Sequence, residues 1–439
     1  MKIGFVSLGC SKNLVDTEMT IGICKENNHQ IINNVEEAEV IIINTCGFIE
    51  SAKQEAINTI LEMAEYKEKG KCKYLIVMGC LVERYLEKLK KLLPEVDLFI
   101  PIKEYDKIGE KIEELITNKK ENISICTLEY SKRVITTGNT TTYLKIAEGC
   151  SNRCTYCAIP YIRGKYISRE FNDIVAEAKE LVKKGYKEII LIAQDTTKYG
   201  IDLYGKSRLA ELLQVISQIE GIKWVRFLYA YPESITDELI QTVKNSEKIC
   251  KYFDIPIQHI SDSVLKRMNR KSTSKQIENL LETIKKEIPD AILRTSLIVG
   301  FPGETEEDFN KLHEFVKKAY FDKLGVFKYS KEDGTPAEKL KEQIHYKTKI
   351  ARHAKIMESA QKISKEKLEQ KIGNEYEVLI ENSTFDDKYY IGRTYMDIPE
   401  EDGVIFIPKD IANLENTWIH VKVTDIRDYD LIGERVIDA

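Results

Sequence analysis

No run of apolar residues in this 439-residue chain approaches the roughly 20 that a membrane-spanning helix needs, which argues against a transmembrane protein or a membrane partner. The opening MKIGFVSLGC sets Cys10 behind Leu8 and Gly9, in the order of a lipoprotein signal. It lacks the basic lead and the apolar stretch of about 7–15 residues that such a signal requires, and reads as a buried strand instead. The ten cysteines are too scattered for the dense, even framework of a small secreted domain. They read as ligands or catalysts in a reducing cytoplasm. There is no internal repeat and no low-complexity tract.

What is present fits an ordinary globular protein, 43% hydrophobic and 31% charged, long enough for two or three separate cores. The net charge of −5 is uneven. Residues 371–439 carry seven Lys or Arg against sixteen Asp or Glu, a net −9, which leaves the remaining 370 residues at +4. Apolar runs at 3–8, 40–43, 74–78 and 96–100, each followed by a charged amphipathic stretch, predict a parallel-sheet α/β domain over residues 1–134. The polar TTGNTTT at 136–142 marks a boundary. Beyond it, strand-like segments at 143–147, 188–193, 224–228, 252–255, 292–299 and 323–329 alternate with helical patterns, which suits a full or partial (β/α) barrel over residues 135–370. Residues 338–370 contain no Pro or Gly and read as a long solvated connecting helix. Short alternating runs after Asn374 predict a small all-β domain or barrel at 371–439.

The most specific motif is EGCSNRCTYC, in which Cys150, Cys154 and Cys157 form a Cys-x3-Cys-x2-Cys triplet just after a strand. Three close thiols imply a soft metal or a cluster. Structural zinc usually takes four ligands in paired sets, and no fourth lies nearby. A [4Fe–4S] cubane can accept three thiolates and leave one iron open. A second set is positional. Cys10, Cys46 and Cys80, in SLGCSKN, INTCGFI and VMGCLVE, each follow a strand with Gly beside them. Their separations of 36 and 34 residues are about one βαβ step, so parallel strands bring them to one sheet edge, where a second three-thiolate cluster is expected. Cys24, Cys72, Cys126 and Cys250 lack a partner pattern and read as structural. Strand-end loops of the barrel supply further candidates: Gln194 and Asp195, Gly300 and Gly303 in GFPGE, and Gln258 with His259, alongside Arg294 within a strand. For GFPGE the plain alternative is a strand-to-helix turn, and for His259 and Arg294 it is packing and pairing.

The triplet resembles the signature of the radical S-adenosylmethionine enzymes, with Tyr156 at that superfamily's aromatic position. The resemblance implies a TIM-like core in which S-adenosylmethionine chelates the open iron and is cleaved to a radical that abstracts hydrogen. It also implies that Tyr156, Gln194, Asp195, Gly300 and Gly303 face the cofactor, and that Gln258, His259 and Arg294 serve catalysis. Over the whole chain, a three-cysteine domain, a radical core and a TRAM-like β-domain resemble the methylthiotransferases. LGCSKNLVDTE, NTCGFIESAKQEAI and IPIQHISDSVLKRMNR are most similar to the branch acting on an aspartate of small-subunit ribosomal protein S-twelve. That branch implies two [4Fe–4S] clusters, S-adenosylmethionine as radical source and methyl donor, an electron donor, a sulfur source, and S-twelve, free or in the small subunit, as partner. Sister enzymes modify a transfer-RNA adenosine. A domain gripping RNA should be basic, whereas the terminal segment is −9, which suits a basic protein. An iron–sulfur electron carrier or ribosome-binding factor is the non-enzymatic alternative; it would show no cofactor turnover.

Overall fold

A computed structural model describes residues 1–117, 130–411 and 413–436, so Cys126 lies outside the described residues. Five parallel strands open the chain, in the sheet order Gln30–Ile32, Lys2–Ser7, Val40–Thr45, Tyr74–Gly79, Leu98–Ile100. Val40–Thr45 is buried along its whole length. Its alternating side chains feed two cores, Ile41 and Ile43 on one face and Val40 and Ile42 on the other, as a β-branched strand covered on both sides must. The sequence pattern marks four of these strands. It misses Gln30–Ile32, whose three residues are too few to make an apolar run, and starts the last strand two residues early.

The central region holds six parallel strands in chain order: Thr141–Lys145, Glu188–Ile192, Trp224–Phe227, Tyr252–Asp254, Ile292–Val299 and Lys323–Lys328. A bridge from Val225 to Ile249 links the third strand to the approach of the fourth. Among the described residues the first and last strands are not paired, so the barrel is partial. Leu144, Leu191, Phe227 and Phe253 pack outward against the helices. The inward residues Ile190, Ile192, Trp224 and Tyr252 share one core with Val378, Ile380, Tyr390 and Val421 of the terminal domain and with Val15 and Met19 of the first helix. The concave face is thus filled by the flanking domains.

The connecting helix is Tyr346–Glu369, starting eight residues later than composition suggests. Pro336–Lys339 is a 3-10 turn instead, and the His345 side chain caps the helix by accepting from the Lys347 amide at 3.3 Å. Only Arg352 and Ile356 of the helix are buried. The terminal domain is a closed barrel in the order Glu375–Ser383, Tyr389–Arg393, Ile405–Pro408, Asp430–Arg435, Trp418–Arg427. The second and fourth of these strands are not evident from the sequence. No helix among the described residues is long and apolar enough to cross a membrane.

The terminal barrel is locked to the central one by a buried ion network. Glu188 accepts from Arg226 Nε at 2.5 Å and from Arg393 Nη2 at 2.5 Å, and all three side chains are almost fully buried. Arg393 also reaches Glu381 at 2.8 Å, and Arg226 donates to the carbonyls of Thr394 and Tyr395. Burial disfavours the Glu188 charge, but the two guanidiniums outweigh it and hold its pKa at about 2. Removing one partner from such a network strands a buried charge. Arg393→Ala is expected to cost about 3–5 kcal/mol at pH 7. Because the folded pKa is depressed from 4.5, the stabilisation is complete above 4.5 and is lost as pH falls toward 2. Urea titrations of wild type and variant should therefore converge in acid; an equal gap at pH 7 and pH 3 would refute the assignment.

Candidate active site

Cys10, Cys46 and Cys80 follow three adjacent parallel strands at their carboxyl edge. Cys10 caps the helix Ser11–Glu26 and Cys80 begins the helix Cys80–Leu92, so both stand at helix N-termini, where negative charge is favoured. The neighbouring glycines let these loops crowd together. A Cβ on Gly9 would sit 2.8 Å from the Cys46 Cβ, and one on Gly47 would sit 2.7 Å from the backbone of Leu81. Asn13 joins two of the strand ends by donating to the carbonyls of Leu8 and Thr45, each at 3.1 Å. Desolvation opposes ionisation of Cys10, yet Lys12, Arg163 and the amides of Asn13 and Lys12 prevail and lower its pKa. Burial raises the Cys46 thiol and pushes Cys80 up to about 12.

The helix Ser11–Glu26 buries Lys12, Asn13, Asp16, Thr17, Glu18 and Thr20, an unusually polar set: Thr17 bonds Ser7 and Asn44 of its own domain, whereas Lys12 and Asp16 face the central domain. Asp16 pairs with Lys145 at 2.6 Å and with Arg163 at 2.9 Å, and Glu18 pairs with Arg133 at 3.0 Å. Lys12 lies 3.3 Å from the centre of the Tyr229 ring. Arg163 also meets Glu148 at 2.9 Å, Asn13 Oδ1 at 2.5 Å and Cys80 Sγ at 3.6 Å. Glu148 in turn accepts from the Gly149 amide at 3.2 Å and from Gln194 Nε2 at 2.7 Å. The strand-end trio and the triplet loop therefore share one junction.

Cys150, Cys154 and Cys157 occupy the loop after the first barrel strand, with Cys150 and Cys154 buried. Burial raises the thiols of Cys150 and Cys157, so metal uptake here releases protons. The loop is braced from the next strand end: Asn152 donates to the fully buried Asp195 at 2.8 Å, and Thr197 donates to the same carboxylate at 2.5 Å. Burial raises the Asp195 pKa despite these bonds. Gln194 Oε1 is buried without a hydrogen-bond partner among the described residues. Tyr156 packs edge-on against Phe301 at 6.5 Å, which brings GFPGE against the triplet.

The other candidates are set further into the frame. Glu304 folds back on GFPGE, accepting from the Gly300 amide and, at 3.0 Å, from the Phe301 amide. Gly300 and Gly303 have φ of +72° and +80°, and a Cβ on either would strike Lys349 or Arg267. Gln258, at φ +68°, bridges Ser296 and Ile298 through its backbone. His259 is buried, accepts from the Ser261 amide at 3.0 Å, and holds Nε2 3.8 Å from Glu304 Oε1. Arg294 faces the terminal barrel, pairing with Asp254 at 3.1 Å and Glu401 at 2.5 Å beside a 260 Å³ cavity lined also by Asp322, Lys323 and Asp402. Sequence reasoning missed Asn13, Asp16, Lys145, Glu148 and Arg163. Their nearness to the cysteine motifs was the available signal. Arg270, which points Nη1 at Cys154 Sγ from 3.9 Å, was also missed.

Each set offers three thiols, a donor type that suits iron–sulfur clusters. Among the described residues no three or more His, Cys, Asp and Glu side chains converge tightly enough for one metal ion. Cubane thiolates bind separate irons and do not need that convergence.

Residues 144–316 match the Radical SAM superfamily, residues 2–101 the Uncharacterized protein family UPF0004, and residues 372–436 the TRAM domain. The fold is similar, at a TM-score of 0.58 and 11% identity over 76% of both chains, to the radical S-adenosylmethionine methyltransferase TsrM of Kitasatospora setae. The matched domains define an enzyme of the radical S-adenosylmethionine class that carries a TRAM domain. The chain is 62% identical, over 99% of both chains, to the ribosomal protein uS12 methylthiotransferase RimO of Alkaliphilus oremlandii. It is 51% identical to the enzyme of that name from Acetivibrio thermocellus, over all of this chain and 99% of the other. It belongs to the ribosomal protein uS12 methylthiotransferase family.

Gly47→Ala should wedge the Cys46 loop off the Cys80 helix. Iron and labile sulfide bound after anaerobic reconstitution are expected to fall, with the remainder lost when Cys150 is also replaced. Unchanged iron in Gly47→Ala would show that the crowding is not needed.

Proposed function

We propose that this chain inserts a methylthio group at the β-carbon of an aspartate in ribosomal protein uS12, free or within the small subunit, using S-adenosylmethionine as radical source and methyl donor. Its full-length kinship with uS12 methylthiotransferases carries this reading. Cys150, Cys154 and Cys157 hold one [4Fe–4S] cluster and Cys10, Cys46 and Cys80 a second; when bound, they supply the one-electron and sulfur chemistry. The functional units are residues 1–134, 135–370 and 371–439. A cytoplasmic setting, a separate electron donor and a sulfur source complete the requirements.

The chain's own residues orient and enclose. Asn152, Asp195 and Thr197 fix the triplet loop, and Gln194 ties Glu148 beside it, its free Oε1 offering an acceptor to the cofactor. Tyr156 and the GFPGE turn wall the same space, with Gly300 and Gly303 giving the turn its shape, His259 facing Glu304 of the turn and Gln258 tied to the strand that leads into it. The terminal barrel fills the concave face and excludes water, with Arg294 anchored to its acidic loop. The carboxylates of this barrel that are not paired with the central domain suit docking of a basic ribosomal protein.

The test is anaerobic turnover with S-adenosylmethionine, reductant, a sulfur source and a peptide carrying the uS12 loop. The peptide is expected to gain about 46 Da, one methylthio group in place of hydrogen. Cys154→Ala should yield no 5′-deoxyadenosine, whereas Cys46→Ala should still yield it and leave the peptide unmodified. Modified transfer RNA with an unmodified peptide would overturn the substrate.

A further inference from the structure

We infer that Arg163 is a positioning residue that donates an N–H to the Cys80 thiolate and sets the reduction potential of the cluster held by Cys10, Cys46 and Cys80. The inference rests on the presence of that cluster. The guanidinium belongs to the central domain and points out of it into the neighbouring one. Nη1 meets Asp16 Oδ2 and Glu148 Oε2, each at 2.9 Å. Nη2 meets Asn13 Oδ1 at 2.5 Å and Cys80 Sγ at 3.6 Å. The two terminal nitrogens thus donate to three acceptors, one of them the sulfur, and Asp16 Oδ2 lies beside Nη1 as an ion-pair partner without a hydrogen bond.

Three physical points give this contact a role. The Arg163 side chain is 2% exposed, so its charge acts on Cys80 with little screening by water or salt. Arginine's planar fork reaches the sulfur and the two carboxylates from two nitrogens held at fixed angles, which the single nitrogen of lysine cannot reproduce. An N–H and a positive charge at a cluster thiolate stabilise the added electron, and so raise the potential. Asp16 and Glu148 fix the fork's orientation, and Glu148 also accepts from the Gly149 amide that leads into the triplet. Arg163 is therefore held by the loop that carries the other cysteine site.

The experiment isolates the first cluster in a full-length chain carrying Cys150→Ala, Cys154→Ala and Cys157→Ala, which also removes any signal from Arg270 near Cys154. After reconstitution and reduction, pulsed electron paramagnetic resonance of protein grown with 15N-arginine is expected to show a nitrogen coupling that changes with the label. Arg163→Lys should abolish that coupling and move the midpoint to a more negative potential. Asp16→Asn, which removes a buried negative charge beside the fork while Glu148 and Asn13 still hold Arg163 against Cys80, should keep the coupling and move the midpoint the opposite way, to a less negative potential. Absence of a label-dependent coupling with Arg163 intact overturns the role, whether or not the lysine variant folds. So does an unchanged midpoint in Arg163→Lys. A chain that binds no iron without the triplet overturns the first cluster itself, a failure distinct from that of Arg163.

Discussion

The arrangement depends on one buried patch of charge, where Asp16 of the first helix is pinned by Lys145 and Arg163 of the barrel and Glu148 closes the group. Charges this deep gain little net stability, because desolvation consumes much of their attraction. What they provide is position. An apolar interface can slide by a fraction of a side chain, whereas a fork hydrogen-bonded to Glu148, Asn13 and Cys80 and ion-paired with Asp16 permits one placement. That placement sets the distance and angle between two sets of thiols carried on separate domains.

The placement of the two cysteine sets was legible because it obeys short-range rules. The triplet is a local spacing, and the trio follows from strand rhythm and the adjacency of successive parallel strands. The six barrel strands emerge from apolar runs to within a residue or two at most ends. The residues of the junction flank the cysteine motifs, but their pairing was not legible, since Asn13 and Arg163 are 150 residues apart in the chain. The segment SKNLVDTEMTIGICKE shows no clear apolar stripe, and its polar residues would be taken for a solvated face. Arg294 illustrates a related limit: residue type and strand placement suggested chemistry, but only the fold reveals the acidic loop of another domain against it.

Charge in the terminal barrel needs the same correction. Its net −9 suggests a strongly acidic exterior, yet the Asp397 and Asp402 side chains are buried and Glu381 and Glu401 are engaged in ion pairs. Glu381 pairs with Arg393, Asp397 with Lys323, and Glu401 and Asp402 with Arg294. The outward field is weaker than the sequence total implies, and part of the acidity is there to hold the barrel in place.

The polar face of the first helix bears on inheritance as well as on geometry. Asp16 and Asn13 on one side and Lys145 and Arg163 on the other form a lock whose two halves are encoded more than a hundred residues apart. A change on one side strands a partner on the other, so the two halves must drift together. Domains of this architecture cannot be exchanged between distant lineages as free modules: a transplanted amino-terminal domain fits only a barrel that already carries the matching key.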